Sequence, residues 1–373
     1  MENYNERYAR HYALSDFGFE GQQKLLQAKV LVIGAGGLGC PVLQYLVAAG
    51  IGTVGIVDHD QISLSNLQRQ TLYSTEDVGK MKSEVSSLKL KKLNPEINIE
   101  SHQVELTSKN AWNIISEYDV IVDCTDNFAT RYLINDACVL LNKPLIFGAI
   151  YKYEGQVAVF NLNLKNNKSV SYRNLFPNPP KPEDVQNCNE VGVLGVLSGM
   201  IGMMQANEVI KLISGVGEVL DGKLLTFNML NYETFIMDIS GENSTENFIP
   251  ENRKAFEETD YEFLCGISKI NIKDLNPDDF LEQISNENVL TIDVREINEL
   301  PKAEFKHIQI PLSEFNERLT EIKNENIILF CQSGKRSLKA AEILMKHFGT
   351  QKKISHLKGG ITALQQRKNE QNS

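Results

Sequence analysis

The residues with the clearest chemical potential form a glycine-rich loop, Gly34–Gly39, that follows a short run of branched apolar residues. Glycines let the backbone turn tightly and approach phosphate groups, and the N-terminus of a following helix adds N–H donors and a positive dipole. Asp58 lies about 20 residues beyond the loop, where a carboxylate can bind ribose hydroxyls. We therefore predict a nucleotide site rather than a tight turn without a ligand, but the pattern does not choose between ATP, NAD and FAD. The contributing glycines are Gly34, Gly36, Gly37 and Gly39.

Further polar residues follow the next predicted elements and are candidates to contact the nucleotide. The amide-rich segment 63–70 lies just past the end of a strand, where α/β proteins bind their ligands. Lys80 and Lys82 lie at the start of a predicted helix, where the helix dipole disfavours cations. A lysine in that position is expected to face an anion, and a solvated lysine is the alternative.

Two acids, Asp123 and Asp126, stand at the carboxyl end of the strand predicted over 119–123. One of them could hold Mg²⁺ against phosphates, because this ion prefers hard oxygen ligands and few protein contacts. The alternative is an N-cap for the helix predicted over 129–142, a position that Asp126 or Asn127 could fill.

A second group of reactive residues lies in the segment 331–337, between a predicted strand and a predicted helix. Loop amides and a helix N-terminus converge on a cysteine in this position and stabilise its thiolate, and neighbouring cations add to the effect. The loop is one residue shorter than a tyrosine-phosphatase-type loop, which has an arginine where Ser337 stands. We therefore predict a nucleophile that carries sulfur, against a merely buried cysteine. The loop comprises Cys331, Gln332, Ser333, Gly334, Lys335, Arg336 and Ser337.

Parallel strands must position these residues, and the chain supplies strands and helices in alternation. Short apolar runs predict buried strands, at 30–33, 53–57, 119–123 and 144–149. We expect an α/β fold with a Rossmann-like nucleotide-binding sheet, followed by a second, small α/β domain. The expected boundaries are 1–238 for the first domain, 239–267 for a polar linker and 268–373 for the second domain.

The composition limits the classes of function. The 373 residues suffice for two domains, each with its own core. Acidic residues outnumber basic ones 48 to 38, for a net charge of −10, which argues against a general nucleic-acid binder. No apolar run reaches about 18 residues, and the polar N-terminal segment is unlike a signal peptide. We therefore expect a cytoplasmic protein that binds neither nucleic acid nor membrane.

Six cysteines are scattered along the chain without a Cys-x-x-Cys pair, so in a reducing compartment they are buried apolar residues or reactive thiols. One of them, Cys188, ends a stretch rich in proline and polar residues that shows no periodicity. A cysteine exposed on such a loop is a candidate reactive thiol if its pKa is suitable.

These motifs together carry a resemblance to two known families. Residues 4–235 resemble the MoeB/ThiF-type adenylyltransferases, relatives of the ubiquitin-activating enzymes, and residues 268–366 resemble a rhodanese domain. The motifs NLQRQ at 66–70 and DCTDN at 123–127 are specific, because NAD enzymes lack both. The other matching motifs are RYAR at 7–10, GAGGLGC at 34–40, VGKMKSE at 78–84, NCNEVGVLGVLSGMIG at 187–202, DVRE at 293–296 and CQSGKRS at 331–337.

The resemblance implies a role for each matching residue. Gly34–Gly39 and Asp58 match the family's ATP phosphate and ribose contacts, and Asp126 matches its acid linked to Mg²⁺. Arg10 matches an arginine that reaches the partner's site across a homodimer interface, and Cys188 matches a cysteine implicated in acyl or persulfide handling. The implied catalytic set is Arg69, Lys82, Asp126, Cys188 and Cys331. The implied ATP contacts further include Arg10, Asp60, Asn66, Arg69, Lys82 and Asn127.

Two departures from the family pattern are visible. The family commonly holds a structural zinc on two Cys-x-x-Cys pairs, whose positions here are Ser171, Asn174, Glu262 and Cys265. One thiol cannot make a four-ligand structural zinc site, so we predict no zinc. The rhodanese segment 299–312 is also shorter than usual.

The resemblance implies an enzyme that uses ATP and Mg²⁺ to adenylate the C-terminal glycine of a ubiquitin-like sulfur carrier ending in Gly-Gly. Cys331 then transfers sulfur to form a thiocarboxylate, for molybdopterin or thiamine synthesis, with a persulfide-carrying desulfurase or thiosulfate as donor. We expect a homodimer. Alternatives are a ubiquitin-like activation through a thioester at Cys188 and a dimeric nucleotide-binding scaffold without chemistry. An NAD oxidoreductase is disfavoured, because nothing after the glycine loop supplies an acid or base for hydride transfer.

Overall fold

The computed structural model describes residues 6–162, 170–179, 192–239, 249–265, 272–286, 288–348 and 352–371. The chain divides into two compact units, residues 1–267 and residues 268–373, and each unit is built around a sheet of its own. Cys188 lies outside the described residues.

The described part of the first unit contains one large mixed sheet. Its strands are β1 (Lys29–Ile33), β2 (Thr53–Val57), β3 (Asn98–His102), β4 (Val120–Asp123), β5 (Leu145–Tyr151), β6 (Glu154–Phe160), β7 (Lys223–Asn228) and β8 (Thr234–Asp238). The spatial order is β3-β2-β1-β4-β5-β6-β7-β8. The first five strands in this order pair in parallel, and β6, β7 and β8 extend the sheet as antiparallel strands.

Helices cover the sheet because its central strands are apolar on both faces, as buried parallel strands must be. The helices are α1 (Ala9–Tyr12), α2 (Gly18–Gln27), α3 (Gly39–Ala49), α4 (Lys82–Leu93), α5 (Ala111–Ser116), α6 (Phe128–Leu140), α7 (Tyr172–Leu175), α8 (Gly195–Ser214), α9 (Arg253–Glu258) and α10 (Tyr261–Leu264). Two buried clusters, one on each side of the sheet, form the core of this unit.

The three central strands end at the same level. Ile33, the last residue of β1, pairs with Val57 in β2 and with Asp123 in β4. The chain crosses from β1 to β2 on one side and reaches β4 on the other, so the strand order reverses at β1. Such a reversal leaves a crevice outside the carboxyl ends of the strands, where α/β sheets bind their ligands.

The stretch expected to be a linker, 239–267, contains the two short helices α9 and α10. Phe256 in α9 and Tyr261 in α10 are buried in the core of the first unit, and the Phe256 ring lies 6.2 Å from the Trp112 ring. The stretch is polar overall, but these two aromatic side chains bury enough apolar surface to fold 249–265 onto the first unit.

The second unit is a small parallel sheet with helices. Its strands are β9 (Lys273–Leu275), β10 (Val289–Asp293), β11 (Ile308–Gln309), β12 (Asn326–Phe330) and β13 (Lys353–Leu357), in the order β11-β10-β12-β13-β9. Every pair in this sheet is parallel. The helices are α11 (Pro277–Ile284), α12 (Lys335–Phe348) and α13 (Gly360–Gln371). The central strand β12 is almost wholly buried and leads directly into the segment that begins at Cys331.

The predicted fold class is confirmed: a Rossmann-like sheet in the first unit and a small α/β unit after it. Within the described ranges, no helix is long and apolar enough to cross a bilayer.

Candidate functional sites

The glycine loop is held at the end of β1 by close backbone packing. Gly34 has a φ of +97°, and a Cβ atom on it would lie 2.8 Å from the carbonyl oxygen of Cys124. A Cβ atom on Gly39 would overlap the carbonyl oxygen of Gly34. Both positions therefore require glycine. The loop leads into α3, whose N-terminus has no side-chain cap.

Asp58 closes the glycine loop from the end of β2. Its Oδ2 accepts a hydrogen bond from the backbone N–H of Ala35 at 2.8 Å, and its Oδ1 accepts one from the N–H of Asp60 at 2.8 Å. Burial raises the pKa of this carboxyl. Each carboxylate oxygen has a second lone pair, so Asp58 can still accept a ribose hydroxyl while it holds the loop.

Lys82 is the first residue of α4, and its ammonium is buried against the same edge. Its Nζ donates to Oδ2 of Asp60 at 2.8 Å, with the lysine side chain 7% exposed and the aspartate side chain 57% exposed. The backbone N–H of Lys82 also donates to the carbonyl of Asp60 at 2.9 Å. The neighbouring Lys80 is more exposed and pairs with Asp77 at 3.5 Å. Of the two lysines, Lys82 is therefore the one held at the crevice.

The NLQRQ segment lies across the glycine loop. A Cβ atom on Gly37 would lie 3.5 Å from Cγ of Arg69, and the Arg69 guanidinium donates to the carbonyl of Ser65 at 3.2 Å. Asn66 is committed locally, because its Oδ1 accepts the N–H of Ser63 at 3.0 Å as part of a capping box. The amide nitrogen of Asn66 is not used in this capping box and can donate to a ligand.

The polar residues of the loop after β4 have different roles: two make structural contacts within the protein, and one is exposed. Asp123 is fully buried and pairs with Arg131 at 3.0 Å, so the structure uses it as an internal ion pair. Asn127 caps α6 by accepting the N–H of Thr130 at 2.9 Å, as the N-cap alternative predicts. Asp126 is exposed, and of the two acids it is the one available to a metal ion bound to phosphates.

One predicted site residue, Arg10, is exposed on α1, and no hydrogen bond or ion pair among the described residues joins it to this edge. Cys188 lies outside the described residues. The structure adds one residue that the sequence patterns missed. The hydroxyl of Tyr73 donates to the carbonyl of Ala35 at 2.8 Å and so helps to hold the glycine loop. An aromatic residue a few positions after NLQRQ carries no spacing signal that would have identified it.

The residues at the positions that match the family's zinc ligands are not a set of side chains that can bind zinc. Ser171 and Asn174 bond to each other in a capping box at the start of α7. Cys265 is buried, and burial raises the pKa of its thiol to about 12, which opposes the thiolate that zinc needs. Among the described residues, no group of three or more metal-binding side chains exists.

The second site is built around Cys331, immediately after β12. The sulfur accepts a hydrogen bond from the backbone N–H of Gly334 at 3.2 Å, and the thiol is fully buried. Gly334 has a φ of +87°, and a Cβ atom on it would lie 2.8 Å from the nitrogen of Gly359. The predicted cysteine loop thus curls over its own sulfur, as a cradle for a thiolate requires.

The positive charge of Arg336, in the Cys331 loop, is partly balanced by Glu299. Arg336 makes a bidentate ion pair with Glu299, with distances of 2.5 and 2.6 Å. Hydrogen bonds from Arg336 lower the pKa of the Glu299 carboxyl to about 2. The same pair raises the pKa of Arg336, with a smaller contribution from Cys331. Lys335 is exposed at the start of α12.

Comparison with known proteins matches both units to families. The profile of the ThiF family matches residues 8–247, and the profile of the rhodanese-like domain matches residues 276–367. The first match covers more than half of the chain.

Relatives with both parts are known. The chain is 40% identical over 372 residues to the "probable adenylyltransferase/sulfurtransferase MoeZ" of Mycobacterium tuberculosis, covering 96% of this chain and 92% of that protein. It is 48% identical over 263 residues to the "sulfur carrier protein adenylyltransferase" of Thermus thermophilus, covering 70% of this chain and 97% of the relative. Among solved structures, Escherichia coli MccB with ATP aligns with a TM-score of 0.54 and 25% identity, over 64% of this chain and 72% of that one.

Proposed function

This chain belongs to the ThiF family and carries a rhodanese-like domain, and on that premise we propose that it activates a ubiquitin-like sulfur carrier and then loads it with sulfur. It is an enzyme with adenylyltransferase and sulfurtransferase domains, the two activities named in the MoeZ relative. The proposed substrate follows the printed name of the Thermus thermophilus relative, a sulfur carrier protein adenylyltransferase.

In the first proposed step, the carboxylate of the carrier's C-terminal glycine attacks the α-phosphate of ATP. An acyl–phosphate bond forms, the bond between the α- and β-phosphates breaks, and pyrophosphate leaves. Two anions must approach each other, so cations at the sheet edge lower the barrier. We assign this role to Lys82, which would exchange Asp60 for phosphate, and to Arg69 beside the glycine loop. Asp126 would hold Mg²⁺ on the phosphates, where the ion supplies further positive charge.

In the second proposed step, Cys331 carries a sulfane sulfur as a persulfide. The terminal sulfur attacks the acyl carbon of the adenylate, a carbon–sulfur bond forms, and AMP leaves. A second thiol then attacks the Cys331 sulfur, which releases the carrier thiocarboxylate and leaves a protein disulfide. We propose Cys188 as this second thiol. The fixed N–H of Gly334 supports the first part of the step, because a donor at the sulfur favours its anionic form.

Several finer points belong to the same proposal. We infer a homodimer in which Arg10 reaches the partner's ATP, a cytoplasmic location, and a place in molybdopterin or thiamine synthesis. The sulfur donor would be a persulfide-carrying desulfurase or thiosulfate. Zinc is not part of the proposal, since Ser171, Asn174, Glu262 and Cys265 offer one thiol only.

One observation carries the proposal most directly. Gly34–Gly39, Asp58, Lys82 and Arg69 gather at one edge of the sheet, and the same chain holds a cysteine cradle that suits a sulfur adduct. A scaffold without chemistry would not need Lys82 buried and paired at the crevice.

The test is exchange of labelled pyrophosphate into ATP by the full-length chain. We expect exchange that depends on a small carrier ending in Gly-Gly, and none when the last glycine of the carrier is deleted. The absence of carrier-dependent exchange would contradict the adenylation step. A reducible adduct between carrier and Cys188 that passes to a lysine would instead favour ubiquitin-like conjugation.

A further inference from the structure

Three polar side chains lie behind the Cys331 loop, two of them buried and one, Asp274, 48% exposed, and the reaction proposed above gives none of them a step. They come from three elements: Ser337 from the first turn of α12, His356 from β13 and Asp274 from β9. Ser337 Oγ lies 3.2 Å from His356 Nδ1, and His356 Nε2 lies 2.9 Å from Asp274 Oδ1. Ser337 is fully buried and His356 is 4% exposed.

Hydrogen bonds at one glycine, Gly334, connect these side chains to the Cys331 sulfur. The Ser337 hydroxyl donates to the carbonyl of Gly334 at 3.1 Å, and the N–H of Gly334 donates to Cys331 Sγ at 3.2 Å. Gly334 has a positive φ and no side chain, and its carbonyl also accepts the N–H of Leu338 at 3.1 Å, so the Ser337 hydroxyl is one of the hydrogen bonds that fix its conformation. A change at Ser337 is therefore expected to shift the Gly334 N–H that faces the sulfur.

The Ser337 hydroxyl has one proton and two possible acceptors. When His356 is a cation, both ring nitrogens donate, to Ser337 Oγ and to Asp274, and the hydroxyl is free to donate to Gly334. When His356 is neutral and keeps its N–H toward Asp274, Nδ1 becomes an acceptor. The hydroxyl then turns to His356 and leaves the Gly334 carbonyl.

The charged group that faces His356 directly is Asp274. Asp274 stands directly opposite His356 in the parallel pair of β9 and β13, and Lys358 makes an ion pair with the other oxygen of Asp274 at 2.9 Å. Hydrogen bonds from Lys358 and His356 lower the pKa of the Asp274 carboxyl, so the acid remains an anion beside the imidazole. These are the charged groups in contact with His356, directly or through Asp274, among the described residues.

We propose that Ser337, His356 and Asp274 form a positioning network for the Cys331 nucleophile. His356, held by Asp274, orients the Ser337 hydroxyl toward Gly334, and Gly334 then keeps its N–H on the sulfur. This inference rests on the proposed role of Cys331 and adds His356 and Asp274 to the residues on which that role depends. None of the three touches the transferred sulfur.

The test is thiosulfate:cyanide sulfur transfer by the full-length chain, with kcat and KM measured across pH. Ser337→Ala and His356→Ala should each lower kcat about tenfold with little change in KM, the effect of one lost hydrogen bond in the transition state. The double variant should lose no more than either single variant, because the residues act in series. His347→Ala, which changes an exposed histidine of α12, should behave like the unmodified chain.

A conservative variant separates positioning from mere support of the fold. The amide of His356→Asn can also donate to Ser337 Oγ, so this variant should keep most of the kcat. Unchanged kcat per folded enzyme in Ser337→Ala and His356→Ala, or a kcat in His356→Asn as low as in His356→Ala, would overturn the network. Retained transfer in Cys331→Ala would instead overturn the proposed function itself.

Discussion

The two candidate sites differ in how complete they are without a ligand. At the sheet edge of the first unit, the cations are satisfied by local groups: Lys82 by Asp60, and Arg69 by a backbone carbonyl, while Asp126 is exposed. At the second site, Cys331 is buried and its sulfur already accepts the N–H of Gly334. The first site is therefore completed by its ligand, and the second is organised in advance.

This difference follows from the chemistry that each site performs in our account. ATP and Mg²⁺ bring their own charges and oxygen ligands, so the protein only needs cations that can exchange partners. A persulfide brings little charge and few contacts. Its cysteine must be held by the protein, and the cost of holding it is met by the hydrogen bonds of the surrounding loop.

The largest effect is expected from removing the nucleophile of the second site, a change that should affect only one of the two activities. Cys331→Ala should lower sulfur transfer by at least about a thousandfold, because it removes the nucleophile that carries the sulfane sulfur in our account. Carrier-dependent pyrophosphate exchange should stay at the level of the unmodified chain. Loss of both activities together would mean that the two sites are not independent.

The next effect removes one cation from the sheet edge. Lys82→Ala should lower pyrophosphate exchange about 10²- to 10³-fold, the cost of losing one positioned donor to a developing charge. Thiosulfate:cyanide transfer should not change. The matched control is Lys80→Ala, because Lys80 is exposed and pairs with Asp77 outside the crevice. Equal losses in both variants would contradict the assignment of Lys82.

Ion pairs of different burial should also differ in what they contribute to stability, and a buried pair of the first unit should matter more than a partly exposed pair of the second. Arg173 binds Asp136 through two hydrogen bonds of 2.7 Å, and both side chains are almost fully buried. Arg173→Met leaves a buried charge without its partner and should cost about 3–5 kcal/mol of unfolding free energy. Trp112, the one tryptophan of the chain, reports unfolding of this unit by fluorescence in urea.

Two controls apply to this measurement. Lys254→Met breaks an exposed pair, 4.0 Å long, in the same unit and should cost less than about 1 kcal/mol. A chelator should not shift the urea midpoint, because Ser171, Asn174 and Cys265 do not offer zinc a donor set. A midpoint lowered by the chelator would contradict the prediction that zinc is absent.

The smallest effect concerns the half-exposed pair of the second unit. The pKa of Glu299 is held at about 2, below its ordinary 4.5, so its contribution to stability is complete above pH 4.5. It is lost as the pH falls from 4.5 toward 2, when the carboxylate is protonated and Arg336 loses its partner. Solvent screening limits the effect to about 1 kcal/mol. Urea midpoints followed by circular dichroism should depend less on pH in Glu299→Gln within this window.

The parts of the fold that sequence could predict are those fixed by local patterns. β2 has the predicted bounds, because a buried parallel strand is a continuous apolar run. The antiparallel strands β7 and β8 were not predicted. Residues of β8 are exposed on both faces, so the strand lacks the alternation that would identify it.

The features of the two sites can likewise be divided into those that local sequence patterns predict and those that they do not. The glycine loop and the Cys331 loop are contiguous in sequence, and both could be located before the structure was known. The partners of Asp58 and Asp123 could not be predicted, since an acid at a strand end can bind a ligand, a loop or an arginine equally well. The pairing of His356 with Asp274 depends on the register between β13 and a three-residue strand, which no local pattern sets.

The most direct test of the account is the mass of the carrier after reaction with ATP, Mg²⁺, a sulfur donor and the full-length chain. We predict that one oxygen of the carrier's C-terminal carboxylate is replaced by sulfur. This product should require ATP, should be absent with Cys331→Ala, and should form about 10²- to 10³-fold more slowly with Lys82→Ala. Thiocarboxylate formed without ATP, or formed by the Cys331→Ala variant, would contradict the claim that one chain joins adenylation to sulfur transfer.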